Sequence, residues 1–179
     1  MFAVNKEELE RLWCDCFEDP RDVPHDFFSI SDVEILTARK NENIVGMANL
    51  IPVKINDLDG FYVYGVCVHP SSRGKGFFLK LMQDCEKLAA EKGAHFLCLI
   101  AADKRLENSY KKMGYEHTVK SFACSCEGDL LIKCSSPEFE AFAEPPADAE
   151  PSGFGLLKPL SKSISLQAPL SFATAMGEV

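Results

Sequence analysis

A strand that gives way to a helix across a short glycine-bearing turn dominates this sequence. Phe61 to Val68 (FYVYGVCV) is a β-branched and aromatic run that reads as a central strand and stops at Pro70. From Lys75 to Lys92 the apolar residues Phe78, Leu81, Met82, Cys85, Leu88 and Ala89 fall on one helical stripe. Lys80, Asp84, Lys87 and Glu91 lie off it, and Gly93 is the stop. Apolar spacing thus switches from strand-like to helical within a few residues, which places the chain in the α/β (α+β) class.

The flanking segments extend the same alternation. Asn5-Lys6-Glu7-Glu8 has the shape of a capping box, and Leu9, Leu12, Trp13, Cys16 and Phe17 follow at helical spacing, so a first helix ends before Asp19-Pro20. A shorter apolar piece surrounds Phe27 and Phe28. Val33 to Ala38 and Ile44 to Ile55 read as an antiparallel hairpin turning at Asn41-Glu42-Asn43, and Asp57-Leu58-Asp59-Gly60 turns into the central strand. After the long helix, His95 to Ile100 is strand-like. Leu106, Tyr110 and Met113 mark a short helix closed by Gly114, and Tyr115 to Cys126 is another strand. Composition changes past Cys134, where Pro137, Pro145, Pro146 and Pro151 stand among acidic and small residues. Residues 1–134 are therefore read as a core and 135–153 as a proline-rich connector with a short helix at Ser136-Pro137. Residues 154–179 are read as a strand, Phe154 to Leu160, and a weakly patterned tail that complete the same domain.

Charge and composition narrow the function classes. The 179 residues carry a formal net charge of −8, which disfavours nucleic-acid binding because displacing counterions from phosphates needs a basic surface. No apolar run approaches the roughly 20 residues of a membrane span, and Met1 to Arg11 lacks a basic segment followed by an apolar one. The expectation is a cytoplasmic protein with no membrane or nucleic-acid partner. Eight cysteines stand at 14, 16, 67, 85, 98, 124, 126 and 134 without a C-x-x-C, and the C-x-C pairs lack nearby histidines. No metal is expected; most of the others fall in apolar periodic segments, where a free cysteine acts as a small hydrophobe.

The turn from Val66 to Phe78 carries the chemistry. Backbone N–H groups at a helix start have no intrahelical acceptor and lie at the positive end of the helix dipole, and Gly74 and Gly76 let a bulky anion such as a pyrophosphate approach. Neither G-x-x-x-x-G-K-[ST] nor G-x-G-x-x-G is present, so the ATP and dinucleotide readings lose their main support. Arg73-Gly74-Lys75-Gly76-Phe77-Phe78 instead resembles the acyl-CoA-binding motif Q/R-x-x-G-x-G/A of the GNAT superfamily of N-acetyltransferases, with Phe78 where that family usually has Gly or Ala. Downstream, Asp103 to Tyr115 resembles the superfamily's N-x-x-x-x-x-x-Y-x-K-x-G-F/Y element. Asp103 replaces the common Asn, and Tyr115 the common Phe. The resemblance runs over roughly Val33 to Tyr115.

The resemblance implies a mixed, mostly antiparallel central sheet flanked by helices and splayed, often through a bulge, at the strand ending near Val68. It implies acetyl-CoA as cosubstrate, with Val66, Cys67 and Val68 on the pantetheine and Arg73, Gly74, Lys75, Gly76, Phe77 and Phe78 on the pyrophosphate. Asp103 would lie near the pantetheine arm. Tyr110 is the implied proton donor to the departing thiolate, since a phenol with a pKa of about 10 stays protonated at neutral pH. The expected activity is direct transfer of an acetyl group to a small-molecule or protein amine. Glu34, Asp57, Asp59 and Tyr64 stay open as general bases, with Tyr64 foremost; His69 reads as structural and Cys67 is not expected to be a nucleophile. C-terminal strands of this family form an acceptor wall or a subunit contact, which leaves a homodimer open. The competing reading is a noncatalytic CoA- or acyl-CoA-binding regulatory domain.

Overall fold

The computed structural model describes residues 5–29, 33–55, 58–123, 153–161 and 171–174. Asp57, Cys124, Cys126, Cys134, the connector through residue 152 and the Ser136-Pro137 helix lie outside them. Four helices, α1 (Lys6–Phe17), α2 (Asp22–Phe27), α3 (Phe77–Glu91) and α4 (Lys104–Lys112), surround one sheet. Its strands are β1 (Glu34–Lys40), β2 (Asn43–Ile55), β3 (Leu58–Val68), β4 (Phe96–Leu99), β5 (His117–Ala123), β6 (Gly153–Pro159) and β7 (Ser171–Thr174). They lie in the order β1-β2-β3-β4-β6-β5-β7. The β3/β4 and β5/β7 pairs are parallel and the other four antiparallel, the mixed, mostly antiparallel sheet expected.

Strand alternation divides the core into two layers. Met47, Ile51, Tyr62 and Cys67 point to the face covered by Leu9, Leu12 and Trp13 of α1 and Phe27 of α2. Ala48, Leu50, Phe61, Val63 and Val68 point to the other face, covered by Leu81, Met82, Cys85 and Ala89 of α3 and Tyr110 of α4. The first layer is aromatic, with Trp13 touching the rings of Phe17, Phe27, Phe28 and Tyr64. The second is mainly aliphatic around the β-strands.

Several features differ from the sequence reading, among them β3, which takes in Leu58, Asp59 and Gly60 of the expected turn, and β5, which begins at His117 rather than Tyr115. The Asn5 side chain caps α1 by accepting from the Glu7 amide at 3.1 Å, but Glu8 does not close a capping box. Its carboxylate instead accepts from the Ile44 amide at 2.6 Å, a long-range bond that ties α1 to the β1–β2 hairpin. Helix α3 starts at Phe77 rather than Lys75, because Gly76 takes φ +83°, outside the helical region. Gly153, read as connector, opens β6, and the weakly patterned tail contributes β7 beside β5. Among the described residues no helix is long and apolar enough to cross a membrane.

Candidate active site

Strand β3 is paired on both sides only along its first half. Gly60, Phe61 and Tyr62 lie opposite Phe96, Leu97 and Cys98 of β4, which ends at Leu99. From Val63 to Val68, β3 keeps β2 as its partner and has no register with β4, so the sheet parts there. A bulge accompanies the parting: Asn49 faces Tyr64 and Met47 faces Cys67, which leaves one extra residue in β3. Gly65 sits in it with φ +56°. A Cβ there would stand 2.9 Å from both Asn49 Nδ2 and the Trp13 ring, so conformation and space both demand glycine.

Asn49 is fully buried beside this bulge and donates through Nδ2 to the Tyr64 carbonyl at 3.2 Å. Its Oδ1 has no partner among the described residues. Sequence reading did not single out Asn49 or Gly65. A polar residue where Met47 and Ile51 mark a core-facing register, and a glycine within a β-branched run, are the signals that locate them.

The turn after β3 is held by its own side chains. The His69 amide donates to the Val45 carbonyl at 2.9 Å, and His69 Nδ1 lies 2.8 Å from Ser71 Oγ, a structural role at the short 3-10 turn Pro70–Ser72. Arg73 Nε donates to the Val68 carbonyl at 3.0 Å and Lys75 Nζ to the Ser71 carbonyl at 2.7 Å, bringing both cations against the strand end. Gly74 and Gly76 have φ +73° and +83°, and a Cβ on either would meet nothing within 4 Å. They are glycines because of backbone conformation, and they border open space. The first intrahelical bond of α3 runs from the Lys80 amide to the Gly76 carbonyl, so the amides of Phe77, Phe78 and Leu79 have no acceptor within the helix. Two cations, unsatisfied amides and an open cradle suit a pyrophosphate, so the residues fit the anionic part of acetyl-CoA.

The Phe78 side chain turns away from this cradle. Its ring packs on Tyr110 at 5.6 Å between centroids, in the layer that also holds Val66, leaving its backbone amide on the turn. Where the family usually has Gly or Ala, this chain uses the position to hold Tyr110. Tyr110 is only 6% exposed, and burial, with the nearby Cys85 second, pushes its phenol above the ordinary range. It therefore stays protonated at neutral pH. Five residues on, Tyr115 is fully buried with its hydroxyl unpartnered among the described residues.

Other expected residues divide sharply. Asp103 is exposed and caps α4, its Oδ1 accepting from the Leu106 amide at 2.6 Å. Of the open general bases, Glu34 is ion-paired with Lys92. Asp59 lies near the start of β3, about 20 Å along the strand from Val66, which removes it from the open end. Tyr64 remains, next to the bulge and packed against Trp13 and Phe27. Cys67 is 7% exposed and belongs to the α1 layer, opposite Tyr110, so it reaches the gap through its backbone alone. Among the described residues no cluster of three or more His, Cys, Asp or Glu has the grouping of a metal site.

The family profile described as an acetyltransferase (GNAT) domain matches residues 5–118, well over half of the chain. No curated protein matches the sequence. Solved structures share the fold at low identity. A GNAT-family acetyltransferase from Staphylococcus aureus is 15% identical, with 90% of this chain and 96% of that one covered at TM-score 0.54. Tetrahymena GCN5 is 10% identical, with 89% and 88% covered at TM-score 0.55. A GCN5-related N-acetyltransferase from Anabaena variabilis is 17% identical at TM-score 0.53, with 68% of this chain covered. This chain spans only 31% of that one's length. A sheet parted at Val63, an anion cradle opening α3 and the profile match over residues 5–118 converge: the chain belongs to the GNAT family of acetyltransferases.

Proposed function

We propose that this protein is an acetyl-CoA-dependent N-acetyltransferase that moves the acetyl group directly to an amine. The observation that carries the reading is the pairing of the half-open strand Val63–Val68 with the glycine cradle at its end. Such a site has strand backbone for an extended amide-bearing arm and unsatisfied N–H groups for its phosphates. When bound, acetyl-CoA supplies a thioester whose acetyl group is open to attack by a neutral amine.

The chain's own residues divide the remaining work. Backbone groups of Val66, Cys67 and Val68 bind the pantetheine, and Arg73, Gly74, Lys75, Gly76 and the amides of Phe77 and Phe78 hold the pyrophosphate. Tyr110, raised in pKa by burial and braced by Phe78, holds a proton at its hydroxyl for the departing sulfur. Asp103 acts by capping the helix that carries Tyr110. Tyr64, at the bulge, is the residue best placed to face the amine. The acceptor is a primary amine, small or on a protein, and the setting is the cytoplasm.

The test is release of CoA thiol from acetyl-CoA across a panel of amines, alongside calorimetric CoA binding to the parent and to Gly76→Asp. Aspartate adds negative charge to the cradle, and because φ +83° strains any side chain at this position, thermal melting of the variant is read beside its binding. Binding that weakens at least about tenfold in Gly76→Asp, together with amine-dependent thiol release, is the expected pair of results. Unchanged binding would remove the cradle assignment. Binding without turnover on any amine would leave the noncatalytic CoA-binding domain as the reading.

A further inference from the structure

Two side chains hold the open half of β3 by its carbonyls. Asn49 of β2 donates through Nδ2 to the Tyr64 carbonyl at 3.2 Å, and Arg73 donates through Nε to the Val68 carbonyl at 3.0 Å. Gly65, Val66 and Cys67 form the limb strung between these anchors. At the Tyr64 end, β2 offers the single residue Ala48 against Gly65 and Val66, because its register passes from Asn49 opposite Tyr64 to Met47 opposite Cys67. Strand pairing alone therefore leaves the course of the bulge undecided.

Glycine opens the choice of conformation, and Asn49 closes it. A residue without Cβ adopts positive and negative φ about equally well, so Gly65 at φ +56° permits the bulge without enforcing it. The Tyr64 carbonyl and the Gly65 N–H share one planar peptide, and a bond on the carbonyl fixes the orientation of both. Gly60, in the first half of the strand, is instead fixed by pairing with Val53 of β2 and Phe96 of β4. As core filling Asn49 is poorly suited. It is fully buried on the α1 face, in line with Met47 and Ile51, and its Oδ1 has no partner among the described residues, a state that costs stability. Leucine has a similar branched outline without that cost.

We propose that Asn49 is a positioning residue for the pantetheine arm of acyl-CoA, acting through the Tyr64–Gly65 peptide to hold Gly65, Val66 and Cys67 in the one conformation that aims their backbone groups into the gap. This rests on the acyl-CoA reading of the site. Without the bond, Gly65 samples its other conformations, and the arm meets the competent one only part of the time, which lowers affinity by that fraction. The cradle glycines lie beyond the Arg73 anchor, so the pyrophosphate subsite keeps its shape when Asn49 is changed. The loss falls on the arm and not on the phosphates.

The experiment compares the parent with Asn49→Leu and Asn49→Val in the full chain, by calorimetry with two probes. One is CoA; the other is its ribose-phosphorylated ADP fragment, which has the pyrophosphate but no pantetheine. In the variants CoA should bind at least about fivefold more weakly and the fragment within about twofold of the parent, with melting midpoints within about 5 °C. In steady-state kinetics the KM for acetyl-CoA should rise while kcat at saturation holds, since bound ligand selects the competent conformation. Where one variant fails to fold, the other decides. Unchanged CoA affinity, or equal losses for CoA and the fragment, would overturn the proposal, as would the failure of both variants to fold, which would make Asn49 a core residue only. A parent that binds no CoA would instead overturn the acyl-CoA reading, and this proposal with it.

Discussion

The two halves of β3 behave as different materials. From Leu58 to Tyr62 the strand pairs with β2, and from Gly60 with β4 as well, and its side chains go into both core layers. From Val63 to Val68 it keeps one partner, carries a bulge, and is braced by side chains: Asn49 on the Tyr64 carbonyl, Arg73 on the Val68 carbonyl and Trp13 over Gly65. The zipped half derives its order from neighbouring strands. The open half derives it from individual polar contacts, which is how a strand presents free backbone without collapsing onto its neighbour.

The largest expected effect falls at the open half. Tyr110→Phe keeps the ring on Phe78 and deletes only the hydroxyl. In steady-state kinetics kcat should fall by about 10² to 10⁴ while calorimetric CoA affinity stays within a few-fold. A chemistry-limited kcat equal to the parent's would make Tyr110 a packing residue.

A glycine pair separates the halves directly. Gly60→Ala in the zipped half drives a Cβ to 2.5 Å from the Phe96 ring, and Gly65→Ala in the open half strains φ +56° and crowds Asn49 and Trp13. Each should lose about 1 to 3 kcal/mol in denaturant unfolding, the range for overpacking and for backbone strain. Only Gly65→Ala should also raise the KM for acetyl-CoA. Equal KM values in the two variants would dissolve the distinction between the halves.

Asp103→Ala tests whether that carboxylate reaches ligand or only caps α4. Loss of the 2.6 Å bond to the Leu106 amide should cost about 1 kcal/mol with CoA affinity unchanged, read by thermal melting and calorimetry. The smallest effect has the opposite sign. Tyr115→Phe removes a buried hydroxyl with no partner among the described residues and should raise stability by up to about 1 kcal/mol. A loss of more than that would show the hydroxyl to be hydrogen-bonded.

Locally encoded features were legible in the sequence and long-range ones were not. The β1–β2 hairpin, α3 and α4 follow from turn residues and apolar spacing, and the glycines of the cradle follow from their place before an amphipathic helix. Residue resemblance located Tyr110, but not the Phe78 ring that braces it, because that contact joins two helices. Glu8 shows the limit well. Its spacing from Asn5 suits a capping box, yet the Ile44 amide across the fold competes successfully for the carboxylate.

The place of β6 bears on how the chain is made. Gly153–Pro159 lies between β4 and β5, paired antiparallel to both, although both precede it in sequence. During synthesis the edge of β4 that carries Phe96 to Leu99 has no strand to meet until residues past 150 clear the ribosome. The profile match ends at residue 118, so the segment that seals this edge comes after the part that names the family. A nascent chain halted before β6 would hold the gap and the cradle in sequence while exposing an apolar strand edge, the kind of surface that holdase chaperones shield.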